Sequence, residues 1–146
     1  MTVDPNAPAP TARFGEDKTV LVVEDEHRVR RVTATRLIDL GFRVLEAGDG
    51  TAALEMLATH PEIEILYSDV VMPGALSGLD LARRAQELYP DLHIVLTSAY
   101  SAELMHETAA GLDFHVLHKP YRQAELARVF RDALQAGAPA AGSARS

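Results

Sequence analysis

Apolar runs alternate with amphipathic stretches along this chain, and the two kinds differ in period. Val20–Val23, in KTVLVVED, is a β-branched run with no polar interruption, which is how a strand buried on both faces of a parallel sheet reads. A helical stretch follows from His27 to Leu40, with Val29, Val32, Leu37 and Leu40 as its expected buried stripe and Gly41 as its C-terminal cap. FRVLEA is a second strand. Gly48, Asp49 and Gly50 turn into a helix over Thr51–Thr59 carrying Ala53, Leu54, Leu57 and Ala58, which His60 and Pro61 stop.

The third strand is IEILYSD, Ile63–Asp69, broken by VVMP. LDLARRAQELYP is then helical, with Leu81, Ala85 and Leu88 on one side, and Pro90 ends it. His93–Leu96 form a fourth strand, whose end carries Thr97, Ser98, Ala99 and Tyr100. SAELMHETAAG is a weakly amphipathic fourth helix. Phe114–Leu117 form a fifth strand running into His118, Lys119 and Pro120. In the last helix, Gln123–Gln135, Leu126, Val129, Phe130, Ala133 and Leu134 keep the i, i+3, i+4, i+7, i+8 spacing. Strict alternation of five strands with five helices through short connections predicts an α/β fold, a doubly wound parallel sheet with helices on both faces.

The termini differ from this body. Residues 1–17 and 137–146 are rich in Pro, Ala and small polar residues, and are expected to be disordered tails around one domain at 18–136. With 146 residues and 47% hydrophobic content, a single core is the expectation. There is no cysteine, so disulfides, thiolate metal sites and cysteine nucleophiles are excluded. The net charge of −7 argues against nucleic acid or anionic membrane as a partner. The N-terminus lacks a signal-peptide pattern and no apolar run is long enough to span a bilayer, so the expectation is a cytoplasmic chain.

Parallel strands point their carboxyl ends one way, and that edge is where open α/β sheets place their ligands. It collects Glu24 and Asp25 from strand one, Asp69 from strand three, Thr97 from strand four and Lys119 from strand five. Each has an ordinary reading alone: Asp69 caps the next helix, Thr97 ends a strand, Lys119 is solvated. Together they carry chemistry. Three neighbouring carboxylates repel one another, and a hard divalent cation such as Mg²⁺ relieves this with oxygen ligands. With a lysine and a hydroxyl added, the set suits phosphoryl transfer to a side-chain carboxylate.

VVEDE, SDVVMPG, LTSAY and HKPY, in this order on these strand ends, resemble the response-regulator receiver domain of two-component signalling over Thr19–Leu134. The T-x-x-Y and KPY motifs are similar to those of stand-alone and hybrid-kinase receivers. The resemblance implies a flavodoxin-like (βα)5 fold with strand order 2-1-3-4-5. It implies Asp69 as phosphoacceptor from a phosphohistidine on a sensor histidine kinase or histidine phosphotransfer protein, with no enzymatic activity beyond its own phosphorylation and dephosphorylation. Mg²⁺ would be held by Glu24, Asp25, Asp69 and the backbone carbonyl of Val71. Thr97 and Lys119 would contact the phosphoryl group, the Lys119–Pro120 bond would be cis, and the fourth helix, fifth strand and fifth helix would form the switching face.

The chain departs from that pattern where the fifth strand usually carries an aromatic switch residue: Val116 stands three positions before Lys119. Phe114 has the wrong parity, which leaves Tyr100 as the switch candidate. Gly74 and Gly78 are read as giving the loop after Pro73 flexibility. Val71 and Ala99, two residues beyond Asp69 and Thr97, cannot orient a water, so a phosphate that is not especially short-lived is expected. His115 and His118 lie on opposite strand faces, which argues against zinc. The alternatives are a haloacid-dehalogenase-like phosphatase, which needs an acid at Val71; an FMN-binding flavodoxin, which needs a phosphate loop where the acids stand; and a receiver that only scaffolds. No effector segment is recognisable, so the expectation is a lone receiver acting through protein contacts.

Overall fold

The computed structural model describes residues 18–72, 76–98 and 115–136. The elements are β1 (Thr19–Val23), α1 (His27–Asp39), β2 (Arg43–Ala47), α2 (Gly50–Thr59), β3 (Ile63–Asp69), α3 (Gly78–Leu88), β4 (His93–Ser98), β5 (His115–His118) and α4 (Gln123–Ala136). The expected tails, the fourth of the expected helices, Phe114 and Tyr100 lie outside the described residues, so α4 is the fifth helix of the sequence reading. The five strands are all parallel, in the order β2-β1-β3-β4-β5.

All five residues of β1 are buried, as an uninterrupted apolar run at the centre of a two-faced sheet requires. Period-two alternation then divides the core. Leu21, Val23, Leu66, Ile94 and Leu96 face α2 and α3. Val20, Val22, Ile65, Tyr67, Val95 and Leu117 face α1 and α4, against Leu37, Leu40, Phe42, Leu126 and Phe130.

Helix ends follow local chemistry. Gly41 has φ 103°, its N–H reaches the Ile38 carbonyl, and the Phe42 N–H reaches the Leu37 carbonyl. This Schellman motif needs a residue tolerant of the left-handed region and returns the buried Phe42 to the core. Asp49 caps α2 through the Ala52 N–H at 2.7 Å, and Ser77 caps α3 through the Asp80 N–H at 3.1 Å.

Four expectations need correction. Val29 and Val32 are 36% and 54% exposed, and α1 instead buries Thr33, Ala34 and Leu37. Positions 33 and 37 share a helical face that position 32 does not, and the small side chains at 33 and 34 let α1 lie close on the sheet. Ala58 is exposed on α2. Leu88, at the end of α3, is 61% exposed. β4 runs through Ser98, two residues past the expected end at Leu96, with Thr97 near its carboxyl end as expected.

Candidate phosphoryl-transfer site

Side-chain alternation aims the sheet's carboxyl edge at one place. Glu24 continues the parity of Val20 and Val22, Asp69 that of Ile65 and Tyr67, Thr97 that of Val95, and Lys119 that of Leu117. All four therefore belong to the α1/α4 side, whereas Asp25 has the opposite parity and is exposed.

Asp69 and Thr97 are register partners, and the Val70 N–H bonds the Thr97 carbonyl at 2.9 Å. The Lys119 N–H bonds the Ser98 carbonyl at 2.8 Å, extending the β4–β5 ladder to the lysine itself. The Lys119–Pro120 peptide is cis. Lys119 Nζ lies 2.9 Å from Asp69 Oδ2 and 3.8 Å from Glu24 Oε1. The other Asp69 oxygen accepts the Val71 N–H at 3.2 Å, and Glu24 Oε2 accepts the Glu26 N–H at 3.1 Å.

This arrangement leaves negative charge only partly compensated. Burial pushes the Glu24 carboxyl above its ordinary pKa, and the charge of Asp69 and the contact with Asp25 add to that, against the Glu26 N–H and Lys119. Burial alone would lower the Lys119 ammonium, but its hydrogen bond to Asp69 and the charges of Asp69 and Glu24 outweigh that and raise it. One cation thus serves two inward carboxylates, with a third beside them. Among the described residues no three Asp, Glu or His side chains stand ready-made as a metal cage. The donor chemistry nevertheless fits Mg²⁺, which takes hard oxygens from one or two carboxylates and keeps several waters.

Other residues support the site, and Arg30 and Tyr67 among them were not singled out in the sequence. Arg30 Nη1 donates to the Glu24 carbonyl at 2.7 Å and its Nε to Glu46 Oε1 at 3.1 Å, tying the acidic loop to β2. Gly78 is needed for space, which corrects its reading as a source of loop flexibility. A Cβ there would lie 1.7 Å from the Asp69 carbonyl oxygen, because the Gly78 N–H bonds the Val70 carbonyl at 2.8 Å. Beneath Asp69, the Tyr67 hydroxyl meets the Tyr121 hydroxyl at 2.5 Å. A tyrosine inside an apolar run gives no sequence signal beyond core packing, and a glycine at the start of a helix none beyond a turn.

Val71 is 46% exposed and supplies no second acid, so the phosphatase alternative gains no support. Val116 is half-buried on β5, paired with Leu96. No helix among the described residues is long and apolar enough to cross a membrane.

The comparisons with known proteins converge. The family model of the response regulator receiver domain matches residues 20–131. The chain is 34% identical over 110 residues to the response regulator receiver protein CpdR of Brucella abortus, covering 75% of this chain and 90% of that one. It is 34% identical over 119 residues to the sensor kinase CckA of the same organism, covering 80% of this chain but 12% of the kinase. Among solved structures, the response regulator protein TrrA from Thermotoga maritima, in complex with Mg²⁺ and BeF, is similar at a TM-score of 0.71 and 27% identity. That match covers 80% of this chain and 98% of TrrA.

Proposed function

The chain belongs to the response-regulator receiver family of two-component signalling, and on that premise we propose that Asp69 is its phosphoacceptor, served by Lys119, Thr97 and Mg²⁺. The observation that carries this reading is the position of Lys119 Nζ, 2.9 Å from Asp69 and 3.8 Å from Glu24. An Asp69 oxygen attacks the phosphorus of a phosphohistidine, the O–P bond forms, and the P–N bond breaks with the imidazole as leaving group. The Val71 N–H and Lys119 hold the carboxylate in place, and the Lys119 ammonium is positioned to pair with the phosphoryl oxygens as charge gathers on them.

Thr97, on the strand beside Asp69, donates its hydroxyl to a phosphoryl oxygen. Glu24, Asp25, Asp69 and the Val71 carbonyl would hold Mg²⁺, which when bound neutralises phosphoryl charge. The phosphoryl source is a sensor histidine kinase or a histidine phosphotransfer protein, a reading supported by the likeness to the sensor kinase CckA. The chain then acts as a switch through protein contacts, its output face built around the fourth helix of the sequence reading, β5 and α4. Tyr100 remains the candidate for coupling that face to Thr97.

Borohydride trapping tests the assignment, since it reduces an aspartyl phosphate to homoserine. After incubation with a small phosphodonor and Mg²⁺, peptide mapping is expected to find homoserine at position 69. Homoserine at Asp25, or none anywhere, contradicts the assignment.

A further inference from the structure

The Thr97 hydroxyl oxygen is buried and makes no hydrogen bond of regular geometry. Tyr67 and Thr97 are diagonal neighbours on the α1/α4 face of the β3–β4 pair, whose register sets Tyr67 against Val95 and Asp69 against Thr97. Tyr67 is 3% exposed and is two residues before Asp69 on the same strand and the same face. Its hydroxyl bonds that of Tyr121, 2.5 Å away, and its ring packs on Phe130 of α4 at 5.5 Å. Tyr121 is two residues after Lys119. The Arg36 guanidinium of α1 lies over its ring at 5.5 Å, and Gln123 at the start of α4 donates to the Arg36 carbonyl at 3.0 Å. One continuous set of contacts thus runs from Tyr67, on the face that carries Asp69 and Thr97, to α1 and α4, without passing through Val116.

We infer that Tyr67 and Tyr121 are positioning residues that relay the state of Asp69, through Thr97, to α1 and the first turn of α4. The inference rests on the phosphoacceptor reading and goes beyond it. The polarity of the chain supplies the mechanism. Before phosphorylation, nothing fixes which tyrosine hydroxyl donates to the other. A phosphoryl oxygen at Asp69 takes the Thr97 proton as a hydrogen-bond donor and leaves the Thr97 lone pairs to accept. Tyr67 then donates to Thr97, and Tyr121 donates to Tyr67, each bond strengthening the next in a buried setting. The Tyr121 ring is drawn inward and its stacking under Arg36 changes.

Hydrogen–deuterium exchange of the full chain, with and without beryllofluoride and Mg²⁺, tests this, using intact mass after treatment with a small phosphodonor to score acceptance separately. The wild type is expected to change exchange at residues 27–39 and 119–126 by severalfold. Tyr67→Phe and Tyr121→Phe each remove one oxygen; they are expected to gain the same phosphoryl mass while losing the response at 27–39. The double variant is expected to match either single one. A response in both single variants equal to the wild type, or a wild type that gains phosphoryl mass but shows no change at 27–39, overturns the relay. A wild type that gains no phosphoryl mass overturns the phosphoacceptor reading and the relay with it. Should Tyr67→Phe fail to fold, the half-buried Tyr121→Phe decides alone.

Discussion

Gly78 and Asp69 share a space too small for one more carbon: a Cβ on Gly78 would lie 1.7 Å from the Asp69 carbonyl oxygen and 2.8 Å from the Val70 Cα. Those neighbours are backbone, fixed by the β3–β4 ladder, and cannot turn aside as a side chain would. Gly78→Ala is therefore expected to cost about 3 kcal/mol, at the upper end for an overpacked site. It should also slow phosphoryl uptake, because relief of the clash moves Asp69. Urea unfolding of the variant checks the first effect and intact mass against time the second.

Glu24 makes a prediction about pH whose direction follows from its environment. Its folded-state pKa is raised from the ordinary 4.5, with burial as the main cause. In the interval above 4.5 the folded state holds the proton more tightly than the unfolded chain. Stability is thus present at low pH and lost as pH rises from 4.5 through the raised value. Glu24→Gln removes the titration, so in the absence of metal the variant should gain on the wild type across that window and remain ahead at neutral pH. Thermal melts against pH, with a chelator present, measure this.

Magnesium should reverse that order. A cation bound only by the folded state adds about 2.7 kcal/mol at a hundred times its dissociation constant. The wild-type melting temperature is expected to rise with Mg²⁺ and that of Glu24→Gln to rise far less. Equal Mg²⁺ responses in the two proteins would remove Glu24 from the ligand set.

The phosphate should leave slowly. Val71 is half exposed and lacks any group that could orient an attacking water. We expect a lifetime of minutes or longer in the wild type with Mg²⁺ present, shortened severalfold in Val71→Asn, whose amide can hold a water. Decay of the phosphorylated mass reports both, and a wild-type lifetime of seconds contradicts the expectation.

What the sequence disclosed follows from how strongly each signal was tied to chain geometry. The buried run Val20–Val23 and the turn after Asp69 were plain, and parallel strands then required Glu24, Asp69, Thr97 and Lys119 to meet. The alternation that puts all four on one face was equally available, and it sets Asp25 apart. Val32 stands off the face of α1 that closes on the sheet, which runs through Thr33 and Leu37, and Val29, one turn before Thr33 on that side, lies in the helix's first turn where the contact with the sheet ends. Tyr67 and Gly78 were hidden for another reason. Their roles depend on what comes near them from Tyr121 and Asp69, 54 and nine residues away in sequence, and no local pattern records such an approach.

The central claim is that Asp69 is the carboxylate that receives phosphorus. Intact mass after incubation with a small phosphodonor and Mg²⁺, for the wild type and Asp69→Asn, tests it most directly. One phosphoryl group added to the wild type and none to the variant is the predicted result. No addition to the wild type, or equal addition to both proteins, contradicts it.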